Sequence, residues 1–381
     1  MQGVEEFRSE VRDWLAENLV GDFAALKGLG GPGREHEAFE ERRAWNRHLA
    51  QAGLTCLGWP VEHGGRGLSV AHRVAFYEEY AIADAPAKVN HFGEELLGPT
   101  LIAFGTPEQQ QRFLPRILDV TELWSQGYSE PGAGSDLANV STTAVLDNDE
   151  WVINGQKVWT SLAHWAQWCF VVVRSEKGSK RHAGLSYLLV PLDQPGVEVR
   201  PIVQLTGDSE FNEVFFDDAR TDASLVVGQP GDGWRVAMGT LTFERGVSTL
   251  GQQIVYAREL SAIVELAKST GAADDPLIRE RLTRSWAGLR AMRCYALATM
   301  DVEQPGQDNV SKLLWANWHR DLGEIAIDVQ GKAGLLLTGG DFDEWQRLYL
   351  FSRADTIYGG SNEIQRNIIA ERVLGLPREA R

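Results

Sequence analysis

The period of the hydrophobic pattern changes twice along this chain, and that change constrains its fold more than any other feature. From Glu5 to about residue 120, apolar residues recur at helical spacing; Phe7, Val11, Trp14 and Leu15 share one face. Thr106-Pro107-Glu108-Gln109 reads as a helix start, with Thr106 as N-cap, Pro107 in the first turn and Gln109 completing a capping box. Between about 121 and 228 the segments become short, β-branched and punctuated by turn residues. Asn154-Gly155, between Trp151-Val152-Ile153 and Lys157-Val158-Trp159, predicts a β-hairpin. Trp168–Val173, Leu185–Val190, Val197–Ile202 and Glu213–Phe216 predict further strands. From about 229 the helical period returns, over 234–269, 276–302, 307–337 and 360–373, with Gly231-Asp232-Gly233 before the first of these. The expected fold class is α+β. An N-terminal helical domain spans 1–120, a central small β-sandwich or barrel 121–228, and a C-terminal helical bundle 229–381. A β domain flanked by helical regions offers a cleft at their junction, where cofactor pockets tend to form.

Several function classes are disfavoured. A formal net charge of −16 argues against general binding to nucleic acid, while leaving room for a local pocket that takes a phosphorylated small molecule. Cys56, Cys169 and Cys294 are far apart and form no CxxC pair, so they read as buried structural thiols rather than a disulfide framework or zinc site. The histidines show no HExxH and no ligand-like spacing, so no metal is expected. The N-terminus has no apolar signal region and the longest apolar runs are too short to span a bilayer. A cytoplasmic protein with no membrane partner is expected. Gly28-Leu29-Gly30-Gly31-Pro32-Gly33 matches GxGxxG literally but follows a helical segment and contains Pro32, so a dinucleotide fingerprint is rejected.

Three other segments carry chemistry. Gly127-Tyr128-Ser129-Glu130-Pro131-Gly132-Ala133-Gly134-Ser135-Asp136 combines hydroxyls with small residues that let backbone N–H groups approach a ligand, although an ordinary solvated loop has the same composition. Val158-Trp159-Thr160-Ser161 follows, and Ile357-Tyr358-Gly359-Gly360-Ser361-Asn362-Glu363-Ile364-Gln365-Arg366 lies near the C-terminus. Together, in this order and on this outline, they resemble the signature segments of the acyl-CoA dehydrogenase family. The resemblance extends to Gly105–Gln109, Val214–Asp218 and Gly231–Trp234, and so covers nearly the whole chain.

That resemblance implies FAD as cofactor, an acyl-CoA substrate and removal of a proton and a hydride from its α and β carbons. Tyr128, Ser129, Gly134, Trp159, Thr160 and Ser161 match flavin-side positions. Ser135 matches a serine that meets the CoA portion of the substrate as well as the cofactor loop. Ser361 and Glu363 match positions at the FAD phosphates, and Gln330 a glutamine that reaches the cofactor across a subunit interface. Glu363 stands where many members carry Gln, which puts a negative charge near a pyrophosphate. The base in much of the family is the Glu of a Tyr-Glu-Gly segment, and here that position is Gly359, which has no side chain to act. A minority branch places the base before an arginine on another helix. Phe243-Glu244-Arg245-Gly246 occupies that place, so Glu244 is the expected base, with Arg245 and Tyr358 toward the substrate. The Gly359 backbone N–H can still donate to the thioester carbonyl. A missing side chain at 359 also leaves room for a bulky or branched acyl group.

One further departure bears on assembly. The stretch Ala267–Glu280 lacks the Arg-x-x-Phe-Gly segment by which many members contact FAD of a neighbouring subunit. Bacterial members similar to those of steroid side-chain catabolism share such departures, and some form mixed tetramers. The resemblance therefore implies a homotetramer or a mixed tetramer, with an electron-transfer flavoprotein as acceptor. Two other readings stay open: a non-catalytic or FAD-sharing subunit of a mixed enzyme, and a flavin monooxygenase or oxidase on the same fold.

Overall fold

The computed structural model describes residues 3–243, 248–299, 305–337 and 339–378. Helices come first: α1 (Val4–Asn18), α2 (Phe39–Gln51), α3 (Val70–Ile82), α4 (Gly98–Phe104) and α5 (Pro107–Leu118). Strands follow as β1 (Trp124–Gly127), β2 (Thr143–Asp147), β3 (Glu150–Ser161), β4 (Trp168–Arg174), β5 (Leu185–Pro191), β6 (Val197–Ile202) and β7 (Phe211–Asp222). Helices then return as α6 (Gly233–Phe243), α7 (Ser248–Thr270), α8 (Pro276–Thr299), α9 (Gln307–Gln330), α10 (Glu344–Asp355) and α11 (Asn362–Ile368). The helix–strand–helix outline expected from the periodicity is the one found.

The described residues divide into two compact units. One, from 20–69 and 86–246, contains the whole sheet. Its strands run in the order β1-β4-β2-β3-β7-β6, with β5 antiparallel to β4 and β1 parallel to it. Phe170 and Val172 of β4 and Tyr187 and Leu189 of β5 face one apolar core with Leu97, Phe113, Trp124 and Val236. Cys169, Val171 and Val173, with Leu188 and Val190, face a second core with Trp151, Ile153, Val214 and Phe216. Burial on both faces explains the consecutive apolar residues Cys169–Val173 and Tyr187–Val190 in these two strands, where a half-exposed strand would alternate.

The capping box at Thr106 and Gln109 is present, the Thr106 hydroxyl accepting from Gln109 N and the Gln109 side chain accepting from Thr106 N. The N–H groups that the loop Gly28–Gly33 offers at Gly30 and Gly33 are taken by the protein's own carboxyl groups, those of Glu37 and Glu210. The loop wraps the buried Arg42 guanidinium, which would lie 2.3 Å from a Cβ at Gly30. Burial and the neighbouring Glu35 push the Glu210 carboxyl up to about 8.

Two expectations need correction here. Asn154-Gly155 is not a hairpin turn, because β3 runs straight through it; the β2–β3 turn lies at Asn148-Asp149, with Asn148 at φ 55. Gly155 instead lies opposite a bulge in β7, between the Ile153–Ala219 and Gly155–Phe216 pairs, and at its φ of 149 a Cβ would lie 2.5 Å from Thr142 Oγ1 and 2.7 Å from its Cα. Crowding selected the glycine, as it does where another backbone approaches closely. Of the thiols, Cys56 and Cys169 are buried as expected, whereas Cys294 on α8 is exposed.

The other unit draws on the described residues of 1–19, 70–85 and 247–381. Tyr256, Leu260 and Ile263 of α7 pack with Leu282 and Leu289 of α8 and with Trp318, Leu322, Ile325 and Val329 of α9. Phe7, Val11 and Leu15 are buried on α1. That helix is tied to α3 by Arg8 and Arg12 on the buried carboxylates of Glu78 and Glu79, and Arg293 of α8 also reaches Glu78, at 2.7 Å. Helix α10 was not anticipated; Asp343 caps it through a second capping box with Gln346.

Gly155→Ala is expected to lower stability by about 2–3 kcal/mol, because it adds both backbone strain and a clash that Thr142 cannot relieve without moving the backbone that leads into β2. The urea midpoint at unchanged m-value measures it.

Candidate active site

Lysine in an apolar strand needs a buried partner. Lys157 keeps the inward parity of Trp151 and Ile153 on β3 and is fully buried. Its Nζ donates to Glu130 Oε1 at 2.7 Å, to the Val172 carbonyl at 2.7 Å and to the Tyr128 carbonyl at 3.2 Å. Glu130 accepts in addition from Ser141 N and Oγ, at 2.7 and 2.6 Å, and from Thr142 N at 2.9 Å. Burial alone would raise the Glu130 carboxyl, but the Lys157 ammonium and these donors hold it at about 2. Glu130 and Ala133 exchange backbone hydrogen bonds, which closes the Pro131-Gly132 turn. The loop from Tyr128 onward is thereby anchored to the middle of the sheet.

The same anchor sets up the next segment of β3. Val158 N donates to the Ser129 carbonyl at 2.9 Å, and pairing with β7 then slips between Lys157 and Thr160. In that bulge Trp159 adopts φ 59 and stands 56% exposed, while Thr160 turns inward. Leu162 is also left-handed, at φ 58. Such backbone is costly for bulky residues and persists where surroundings over-determine it. Here Asn212 of β7 donates from Nδ2 to the Thr160 carbonyl at 2.9 Å, its Oδ1 lies 3.0 Å from His164 Nδ1, and Leu162 N is held by the Glu210 carbonyl. Thr160 Oγ1 is buried with no partner among the described residues. Ser129 and Ser161 are half-buried, and Gly134 and Ser135 are exposed. Tyr128 itself is buried, edge-on to Phe170 and Tyr187. An exposed indole, two reachable hydroxyls and an orphaned third on one strand-and-loop segment suit a flat ring with polar edges.

In the other unit, Tyr358-Gly359-Gly360-Ser361 joins α10 to α11. Gly359 and Gly360 are at φ 61 and 87, which favours glycine at both. Gln365 Nε2 donates to both their carbonyls, at 3.0 and 3.2 Å, and Asn309 Nδ2 donates to Gln365 Oε1 at 2.6 Å. The Gly359 N–H has no acceptor among the described residues. Ser361 caps α11, accepting from Ile364 N. Glu363 is exposed and pairs with Arg366 at 3.6 Å. Gln330, at the end of α9, donates to Asp343 Oδ2 at 2.6 Å, and its Oε1 is buried with no partner among the described residues. Glu244 and Arg245 lie outside the described residues. Reading motifs found the hydroxyls, the indole and the glycine turn. It missed Lys157, Asn212 and Gln365, of which only Lys157 left a trace, as a cation at inward parity.

Three family descriptions match in sequence order: acyl-CoA dehydrogenase N-terminal domain over residues 2–121, middle domain over 125–219 and C-terminal domain over 231–374. The chain is 86% identical to acyl-CoA dehydrogenase IpdE1 of Mycolicibacterium smegmatis, over 99% of both proteins. It is 84% identical to the protein of that name from Mycobacterium tuberculosis, over the full length of both. Among solved structures, the Tcur3481-Tcur3483 steroid ACAD matches with a TM-score of 0.85 and 30% identity, over 99% of this chain and 98% of that one. The ChsE4-ChsE5 complex from Mycobacterium tuberculosis matches at 0.82 and 30%, with the same coverage.

Lys157→Met strands a buried carboxylate and should cost about 3–5 kcal/mol, whereas Lys157→Met with Glu130→Gln should cost less than Lys157→Met alone. Chemical denaturation of the set measures this. Because the folded value of Glu130 lies below its ordinary 4.5, its contribution is full above that pH and is lost as pH falls toward 2. Wild-type stability should fall through that window, and the double variant should fall less steeply.

Proposed function

The chain belongs to the acyl-CoA dehydrogenase family, oxidoreductases acting on CH–CH groups, and we propose that it performs FAD-dependent α,β-dehydrogenation of a bulky, steroid-derived acyl-CoA to the trans-2-enoyl-CoA. Members of the family bind FAD. The observation that carries the reading is the bulge at Trp159, where a strained, exposed indole is held by a buried ion pair beside hydroxyls with no structural work among the described residues. Strain of this kind collects at functional sites. The steroid class is supported by the 30%-identical Tcur3481-Tcur3483 enzyme, a steroid ACAD, and by the absent side chain at Gly359.

Trp159 would cover the ring face of FAD, with Ser129, Thr160 and Ser161 at its polar edge and Gly134 and Ser135 along the loop. Tyr128, buried behind that loop, would support it rather than touch the ring. Ser361 and Gln330 would meet the phosphate portion, where Arg366, 3.6 Å from Glu363, supplies the favourable charge. When bound, FAD supplies a hydride acceptor at its N5 atom. Glu244 would take the α-proton, which a thioester releases only to a well-placed base. The Gly359 N–H would donate to the thioester carbonyl oxygen and stabilise the charge that develops there. Arg245 and Tyr358 would orient the CoA and acyl portions. Electrons would then pass to an electron-transfer flavoprotein.

A mixed tetramer is the assembly we propose in preference to four identical chains. It is supported by two similar structures that each pair two different proteins, Tcur3481 with Tcur3483 and ChsE4 with ChsE5. The stretch Ala267–Glu280, which lacks the Arg-x-x-Phe-Gly segment, supports it too.

Glu244→Gln should keep its flavin absorbance while the rate of anaerobic bleaching by a steroid-derived acyl-CoA drops about 10²–10⁴-fold. Unchanged bleaching would remove Glu244 from the mechanism. A preparation with no flavin until a second chain is co-expressed would establish the mixed enzyme, and full bleaching by the chain alone would dismiss it.

A further inference from the structure

Three acidic or basic side chains from three helices line up beneath the Gly359 turn. His319 of α9 is buried, with Nδ1 2.5 Å from Asp355 Oδ2 on α10 and Nε2 3.1 Å from Glu259 Oε2 on α7. The other oxygen of Asp355 accepts the Tyr358 hydroxyl at 2.5 Å. Tyr256 stacks on the imidazole with ring centres 4.6 Å apart. Lys312 donates to the Asp355 carbonyl at 2.8 Å and sits 4.5 Å from the centre of the Tyr358 ring. An imidazole can donate to carboxylates at both nitrogens only as the cation. Burial would lower the His319 value, but Asp355 and Glu259 raise it to about 9.

Such a chain is a poor device for stability alone. Each buried ion costs several kcal/mol to desolvate, and apolar side chains of the same volume would hold three helices together as well. What it supplies is direction. Tyr358 is fixed at its hydroxyl by Asp355 and at its ring by Lys312, and it immediately precedes two glycines that have no conformational preference of their own. Gln365 holds the far side of the turn by its carbonyls. The orientation of the Gly359 N–H is thus set by Tyr358 from one side and Gln365 from the other.

We infer that Glu259, His319 and Asp355 are positioning residues that lock Tyr358 and so aim the Gly359 N–H at the carbonyl oxygen of the bound thioester. This rests on the proposal that the Gly359 N–H meets that oxygen.

The test uses the FAD-loaded enzyme, with its partner chain if it requires one, and follows ligand binding by perturbation of the flavin spectrum. Two ligands with the same acyl skeleton are compared: the enoyl-CoA thioester and an S-alkyl-CoA thioether that lacks the carbonyl. Wild type should prefer the thioester. That preference should fall about tenfold in His319→Gln and equally in Tyr358→Phe, the worth of one hydrogen bond of about 1.4 kcal/mol, and no further in the double variant. A preference unchanged in Tyr358→Phe, or losses in the double variant that simply add, would overturn the inference. If His319→Gln fails to fold, Tyr358→Phe still decides it. A wild type with no preference sinks the reading of Gly359 and this inference with it, whereas a preference that survives the substitutions sinks the inference alone.

Discussion

The buried ion pair of Lys157 and Glu130 is the constraint on which the candidate site depends. Taking both charges out of water is unfavourable, so the pair persists only because each remaining polar valence is used: carbonyls of Tyr128 and Val172 on the lysine, Ser141 and Thr142 on the glutamate. Those contacts join the signature loop, β3, β4 and the segment leading into β2 at one point. Backbone strain at Trp159 is tolerable because two residues earlier the chain cannot move. The pair is therefore better understood as a fixed reference for position than as a source of net stability.

Much of the fold was legible because periodicity reports which faces are buried. The doubly buried β4 and β5 announced themselves as consecutive apolar residues without alternation, and the capping box at Thr106 placed α5 to the residue. Asn154-Gly155 misled because two different constraints favour the same residues. A tight turn and a crowded extended position both select glycine, and only the neighbour at Thr142, in the segment leading into β2, distinguishes them. Helix α10 escaped notice because its buried residues Gln346, Ser352 and Asp355 are polar and leave no hydrophobic stripe.

The site was legible in part, and unevenly. Residues that touch ligands in the family sit in short, ordered segments, so Trp159, Ser161 and the Gly359 turn could be found by resemblance. Residues that hold those segments in place come from elsewhere in the chain. Asn212 lies 52 residues from the carbonyl it grips, and Asn309 lies 56 from Gln365. No local pattern encodes such a pairing. His319 is the extreme case, since its partners on α7 and α10 are separated from it by 60 and 36 residues.

The shared wall between the two apolar cores of the sheet-bearing unit has a consequence for how that unit comes apart. Neighbouring residues of β4, such as Val171 and Val172, belong to different cores, so neither core can loosen without exposing one side of the strand that the other core relies on. The two cores are thus coupled into a single cooperative block, in which helix-side and sheet-side packing are lost together. Backbone amides of β4 and β5 would then exchange with solvent only in global opening, as the slowest set in the unit.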